Sequence, residues 1–194
     1  MAKQSTKARI IAEGARIVHE KGFNNTGIQE ILQAAGVPKG SFYFYFASKE
    51  EFGLNVIDYY MAFMREWMAH HLETSGLPSL AAMKAFFDDV IRYFEAHGCH
   101  AGCPVGNIAQ EMAYLSDAFR TKAEEAFTAM GDALSRCLEA ARQCGEIEPA
   151  IDPYDTADFI LNSWEGALLP MKAQKDVHPL TLFDRMIFCG LLKR

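Results

Sequence analysis

Beyond residue 48 the chain is built from apolar positions that recur every three or four residues. Phe52, Val56, Ile57, Tyr60, Met61, Met64, Trp67 and Met68 form one such run, and Met83, Phe86, Phe87, Val90, Ile91 and Phe94 another. This is the spacing of one face of an α-helix, and no segment shows the strict alternation of a strand. Glycine, proline and aspartate punctuate the runs, which predicts helices over 49–71, 80–96, 104–115, 117–145, 153–175 and 179–193. Gly76-Leu77-Pro78-Ser79 marks a break, with Ser79 expected to cap the helix that follows, and 97–102 reads as a loop. The first run is apolar around most of its circumference, which predicts burial along much of its length. It is expected to connect two domains, 1–48 and 49–194. No internal repeat is visible.

Before residue 48 the elements are shorter. Thr26 can cap a helix with Gln29 as its capping-box partner three residues on, and Ile28, Ile31, Leu32 and Ala35 then share one face. Gly36 ends that helix, Val37 supplies an apolar plug, and Pro38 suits the first position of a second short helix. Two short helices joined by a tight turn read as a helix-turn-helix, the shape that enters the major groove of double-stranded DNA. On the second helix Lys39 and Ser41 are polar partners for phosphates and base edges, Gly40 lets the backbone come close, and Tyr43 and Tyr45 offer hydroxyls. Phe42 and Phe46 point the other way, into a core. An aromatic cluster that only packs is the alternative for 43–46, and the turn chemistry and basic residues in the same dozen positions argue against it. Ser48 and Glu51 form a further capping box opening a helix at Lys49, whose ammonium can contact a phosphate there. The expected fold class is all-α: an N-terminal three-helix helix-turn-helix domain, then a helical ligand-binding and dimerisation domain.

The run from Gly36 to Phe52, Gly-Val-Pro-Lys-Gly-Ser-Phe-Tyr-Phe-Tyr-Phe-Ala-Ser-Lys-Glu-Glu-Phe, resembles the DNA-binding signature of the TetR/AcrR, or tetracycline-repressor-like, family. The resemblance is specific over roughly residues 6–54. It implies that Tyr43 and Lys49 touch phosphates, that Thr26 does so at the start of its helix, and that Lys39, Gly40 and Ser41 face bases. Gly27 departs from the family pattern, which carries a larger residue there. Inside a first helical turn it would lower propensity by roughly 1 kcal/mol relative to Ala.

Charge is divided along the chain. Residues 1–50 carry seven Lys and Arg against four Glu, net +3, and the rest carry twelve against twenty-one acids, net −9. The basic end is thus the one suited to a polyanion, and the acidic remainder argues against a second nucleic-acid surface. The first nine residues lack the apolar core of a signal peptide, and no stretch of about 18 apolar residues is present to span a membrane. A cytoplasmic protein is expected. Five cysteines in 194 residues are no disulfide framework.

The last two predicted helices are the expected dimer seam. Phe159, Ile160, Trp164, Ala167, Leu168 and Met171 on one, and Leu182, Phe183, Met186, Ile187, Cys189, Gly190 and Leu191 on the other, exceed what a small domain can bury against itself. The residues expected at the seam are Trp164, Leu168, Met171, Phe183, Ile187 and Leu191. In the resembled family these two helices of each subunit form a four-helix bundle, and the resulting homodimer presents two reading heads to a palindromic operator.

Cys103 precedes a proline that should open a helix, which would place its sulfur near free amides and the positive end of a helix dipole. The segment Gly102-Cys103-Pro104-Val105-Gly106-Asn107 resembles a TetR/AcrR subgroup that contains regulators of electrophile and quinone response, some with a reactive cysteine at the place of Cys103. A sensor and a buried apolar residue lining a cavity both remain open for Cys103. A small, partly apolar effector is expected to enter a pocket walled by Phe87, Tyr93, Asn107, Gln110 and Trp164 beside Cys103. His97, Cys99, His100 and Cys103 fall within seven residues, too compact for a comfortable zinc tetrahedron, so no metal and no cofactor are expected. His70 and His71 are expected to meet helix carbonyls. The competing function is a thiol- or metal-dependent helical enzyme using Cys103 with His97 or His100. No catalytic triad or phosphate loop supports it, and the chain is not expected to be an enzyme.

Overall fold

The computed structural model describes residues 5–193. Met1–Gln4, part of the N-terminus read above for a signal segment, and Arg194 lie outside them. The described residues form α1 (Thr6–Lys21), α2 (Ile28–Ala34), a 3₁₀ turn (Lys39–Ser41) leading into α3 (Phe42–Tyr45), α4 (Lys49–Leu72), α5 (Ser79–Ala96), α6 (Pro104–Met112), α7 (Asp117–Gln143), α8 (Pro153–Gln174) and α9 (His178–Met186), which runs into a π turn (Ile187–Leu191). The all-α expectation holds, with no strand among the described residues.

Helix ends follow the local chemistry in some places and long-range contacts in others. Ser5 caps α1 by accepting from the Ala8 amide, and Asp152 caps α8 by accepting from the Tyr154 and Asp155 amides at 2.9 Å each. At α4, Ser48 accepts from the Glu51 amide at 3.0 Å, and the Glu51 carboxylate returns to the Ala47 amide at 2.6 Å. Two expected caps are absent. Thr26 does not cap α2, because its hydroxyl donates to the Gly22 carbonyl at 2.7 Å and the cap position passes to Gly27 in extended conformation. Gly27 therefore stands outside the helix, where glycine is well tolerated, and the expected loss of propensity does not arise. Ser79 lies inside α5, and its amide and that of Leu80 are held by the Glu146 carboxylate at 3.1 and 3.0 Å.

The residues sort into two compact units. One comprises the chain up to Phe63 with Pro104–Ala126, and the other Met64–Cys103 with Phe127 onward. Residues 104–126 are thus grouped with the N-terminal helices.

In the first unit Ile10, Ile17 and Val18 of α1, Ile31 and Leu32 of α2 and the rings of Phe42, Phe46 and Phe52 are all buried. The Phe42 centroid lies 5.2 Å from that of Phe46 and 5.8 Å from that of Phe52. A Cβ at Gly14 would come within 2.3 Å of the Phe52 ring, so α1 approaches α4 only because residue 14 has no side chain. Each buried ring contributes about 1.5–3 kcal/mol by leaving water. In the second unit Phe87, Trp164 and Phe183 pack with centroids 5.0–5.2 Å apart, and Met83, Leu134, Leu138, Ile160 and Met171 are buried in the same unit. His71 is also buried here, its Nδ1 against the Trp67 carbonyl at 3.1 Å and its Nε2 against Asp89 at 2.8 Å, so it meets a helix carbonyl as expected.

Candidate functional site

The 3₁₀ turn and α3 sit at the surface of the first unit. Phe42 and Phe46 anchor this segment inward, which leaves the intervening positions outside. Lys39 and Gly40 are exposed and Ser41 and Tyr45 half-buried, while Tyr43 is 69% and Phe44 83% exposed. Phe44 was not among the expected contacts. Its signal was present in the sequence, because a residue midway between two inward rings at i and i+4 must face out. The exposed face thus offers an ammonium, hydroxyls, a bare backbone position and an apolar ring suited to a thymine methyl.

Lys49 and Thr26 stand differently from this face. Thr26 is 1% exposed and its hydroxyl is engaged by Gly22, so the side chain is withdrawn from solvent. The Lys49 ammonium lies 4.6 Å above the Phe23 ring and donates to the Phe23 carbonyl at 2.8 Å and the Asn24 carbonyl at 3.4 Å. Burial depresses the Lys49 pKa below the usual lysine range, and the nearby Glu111 carboxylate opposes that shift. Glu111 comes from the last turn of α6. Its Oε1 accepts from the Phe23 amide at 3.0 Å and its Oε2 from the Asn24 amide at 2.8 Å. The peptides after α1 are therefore held on both sides, carbonyls by Lys49 and amides by Glu111. No sequence signal marks Glu111, 88 residues away from its partner.

The expected seam residues are turned inward. Trp164, Leu168, Met171, Phe183 and Ile187 are buried within their own subunit, and of the expected set only Leu191 is exposed. The outer faces of α8 and α9 instead carry Phe159, Leu169, Leu182 and Met186, with Phe159 56% and Met186 59% exposed. Phe159, Leu182 and Met186 line a shallow, mainly apolar groove of about 290 Å³ with Ala167, Pro170 and Pro179. Both helices are apolar on more than one side, and periodicity alone does not tell the inner stripe from the outer.

Cys103 is half-buried and directly precedes α6, whose first residue is Pro104, as the sequence implies. Its thiol donates a hydrogen bond to Glu165 of α8, whose carboxyl burial raises above the usual range. A carboxyl beside the sulfur changes the expected electrostatics, because the helix end is not the only charge it meets. The expected pocket wall is partly core: Phe87 and Trp164 are packed against each other, and Tyr93 is exposed and stacked on His97 at 4.3 Å. Asn107 and Gln110 lie on α6 in the first unit, half-buried and exposed respectively. His97 Nδ1 contacts the Tyr93 carbonyl, and the buried Cys99 thiol donates to the Phe94 carbonyl. Among the described residues no three His, Cys, Asp or Glu side chains are placed to hold a metal ion.

Residues 10–54 match the model of bacterial regulatory proteins of the tetR family, and residues 79–187 that of the tetracyclin repressor-like C-terminal domain. The transcriptional repressor DhaR of Mycobacterium sp. strain GP1 is 31% identical over 192 residues, covering 99% of this chain and 95% of that protein. The crystal structure of a regulatory protein TetR from Rhodobacter sphaeroides is 34% identical with a TM-score of 0.88, covering 94% of this chain and 96% of that one. That of E. coli NemR in its reduced form is 27% identical, also with a TM-score of 0.88, and covers 95% of both chains.

Proposed function

The chain belongs to the TetR family of bacterial transcriptional regulators, a class of DNA-binding proteins and not of enzymes, and from that premise we propose that it is a cytoplasmic homodimeric repressor of a palindromic operator, released by an electrophilic small molecule at Cys103. The observation that carries the DNA reading is the outward face of Lys39, Gly40, Ser41, Tyr43, Phe44 and Tyr45, presented on a segment nailed down by the Phe42 and Phe46 rings. The repressor named among its relatives supports the sign of regulation. Lys49 and Thr26 act here by holding the head's own backbone. The partner surface is the exposed face of Phe159, Leu182 and Met186.

The sensor reading rests on Cys103 and its Glu165 partner, and the Gly-Cys-Pro-Val-Gly-Asn segment supports it. When sulfur adds to the β-carbon of an α,β-unsaturated carbonyl compound, an S–C bond forms and the C=C π bond breaks. Glu165 can take the thiol proton and return it to the α-carbon. No oxidant is needed. The adduct releases DNA only if it favours a conformation that the operator rejects.

Selecting sheared genomic fragments on the purified protein yields the operator. Ser41→Ala and Lys39→Ala should change the half-site preferred, and N-ethylmaleimide should release the wild type at concentrations that leave Cys103→Ser bound. Equal release of both proteins would return Cys103 to a structural role, and three proteins that bind random and selected DNA alike would remove the recognition-face assignment.

A further inference from the structure

The geometry points to Glu111 as the positioning residue that couples the start of α6 to the DNA-reading head. This rests on the reading of residues 39–45 as the DNA face, and it does not depend on the reactivity of Cys103. We propose that the two-pronged bond from Glu111 to the Phe23 and Asn24 amides transmits the state of α6 to the turn between α1 and α2, and so to the recognition segment packed against α2.

The contact has the form such coupling needs. The two amides belong to the turn that sets where α2 begins, and they reach Glu111 at 3.0 and 2.8 Å. The turn is shaped to receive the carboxylate: Gly22 has φ +88°, and a Cβ there would stand 2.5 Å from Glu111 Oε1. Phe23 is buried with its ring edge-on to Phe119 at 5.0 Å, and Lys49 holds the Phe23 carbonyl. A second tie on the same side is the Ser116 hydroxyl on the Glu50 carboxylate. Glu111 stands seven positions after Pro104, the first residue of α6, on the order of 10 Å at the rise of an α-helix. A displacement of α6 must either carry the turn with it or strip two amides of their acceptor. A contact that survives in one helix position and breaks in the other is what links two equilibria.

The test uses full-length protein, the selected operator and no thiol reagent. Hydrogen exchange is followed in peptides covering 98–112 and 22–34, with and without operator, for wild type, Glu111→Gln and Glu111→Ala. In the wild type, operator binding should slow exchange at 98–112 by a factor in the range of about 5 to 150. Glu111→Ala should bring that factor close to one, and Glu111→Gln, which keeps one acceptor oxygen, should fall between. The free variants should exchange faster at 22–34 while keeping the far-ultraviolet spectrum of the wild type. Undiminished coupling in Glu111→Ala overturns the proposal, as does a wild type whose 98–112 region ignores operator. If both variants fail to fold, the bond is a structural staple and the proposal also falls. Failure of the wild type to retain any DNA is a different result, which removes the recognition-face reading itself.

Discussion

Replacing Lys49 by methionine separates two roles that the same ammonium could play. Lys49→Met keeps the stem over the Phe23 ring and deletes only the charge. Two bonds to main-chain carbonyls are lost, one at 2.8 Å and one at 3.4 Å. A hydrogen bond from a charged donor contributes about 1.5–3 kcal/mol, and the longer bond, near the geometric limit, adds little. Attraction of the ammonium for the ring adds about 0.5–1 kcal/mol. Against these stands the burial that depresses the Lys49 pKa, a cost that methionine relieves, while Glu111 loses its neighbouring positive charge. The balance is a loss of about 2 kcal/mol, which in a chain of this length lowers Tm by about 4–8 °C. The measurements are a thermal melt of the free protein and the salt dependence of binding to operator and random DNA. If the charge serves the head's backbone, Tm falls and the salt slope changes by less than about half a unit. A phosphate contact would instead reduce the slope by about one with Tm unchanged, and that result would refute the reasoning.

Leu182→Glu with Met186→Glu should give a folded monomer by light scattering and melting, whereas Leu168→Asp should unfold the subunit by placing a charge in its core; a stable dimer in the first variant would remove the outer face of α9 from the interface. Burial pushes the Cys137 thiol up to about 11, so at neutral pH it holds roughly 100-fold less thiolate than an ordinary cysteine. Mass spectrometry should therefore show N-ethylmaleimide modifying exposed Cys144 long before Cys137, and comparable rates would contradict the burial. Burial also raises the Glu165 carboxyl, so the folded state binds that proton more tightly than the unfolded chain does, and stability drops as pH rises from the ordinary carboxylate range through the folded value. Glu165→Gln removes this dependence, and its Tm relative to wild type should climb as pH rises above the ordinary carboxylate range; a constant difference would place Glu165 in water.

Local interactions made much of the molecule legible from residue order. The three-and-four spacing located every long helix, because a helix buries one stripe whatever it packs against, and Gly36 and Pro153 mark boundaries that backbone sterics impose. The helix-turn-helix is short-range throughout, so its turn and inward rings could be read directly. Where a competing partner lay far along the chain, the sequence fell short. Ser79 looked like a cap, but the tertiary structure gave its amide to Glu146, 67 residues on, whereas the Thr26 cap was lost to a local competitor, the Gly22 carbonyl four residues back. Lys49 of α4 and Glu111 of α6 meet at the peptides after α1, and Cys103 meets Glu165 of α8, through contacts that no periodicity encodes. The proposed dimer face shows the same limit. Helices α8 and α9 are apolar on two sides, and only packing within the subunit decides that Leu168 and Ile187 fill its core while Phe159 and Met186 remain outside. Spacing determines that a side chain lies on a face, and the fold determines what that face meets.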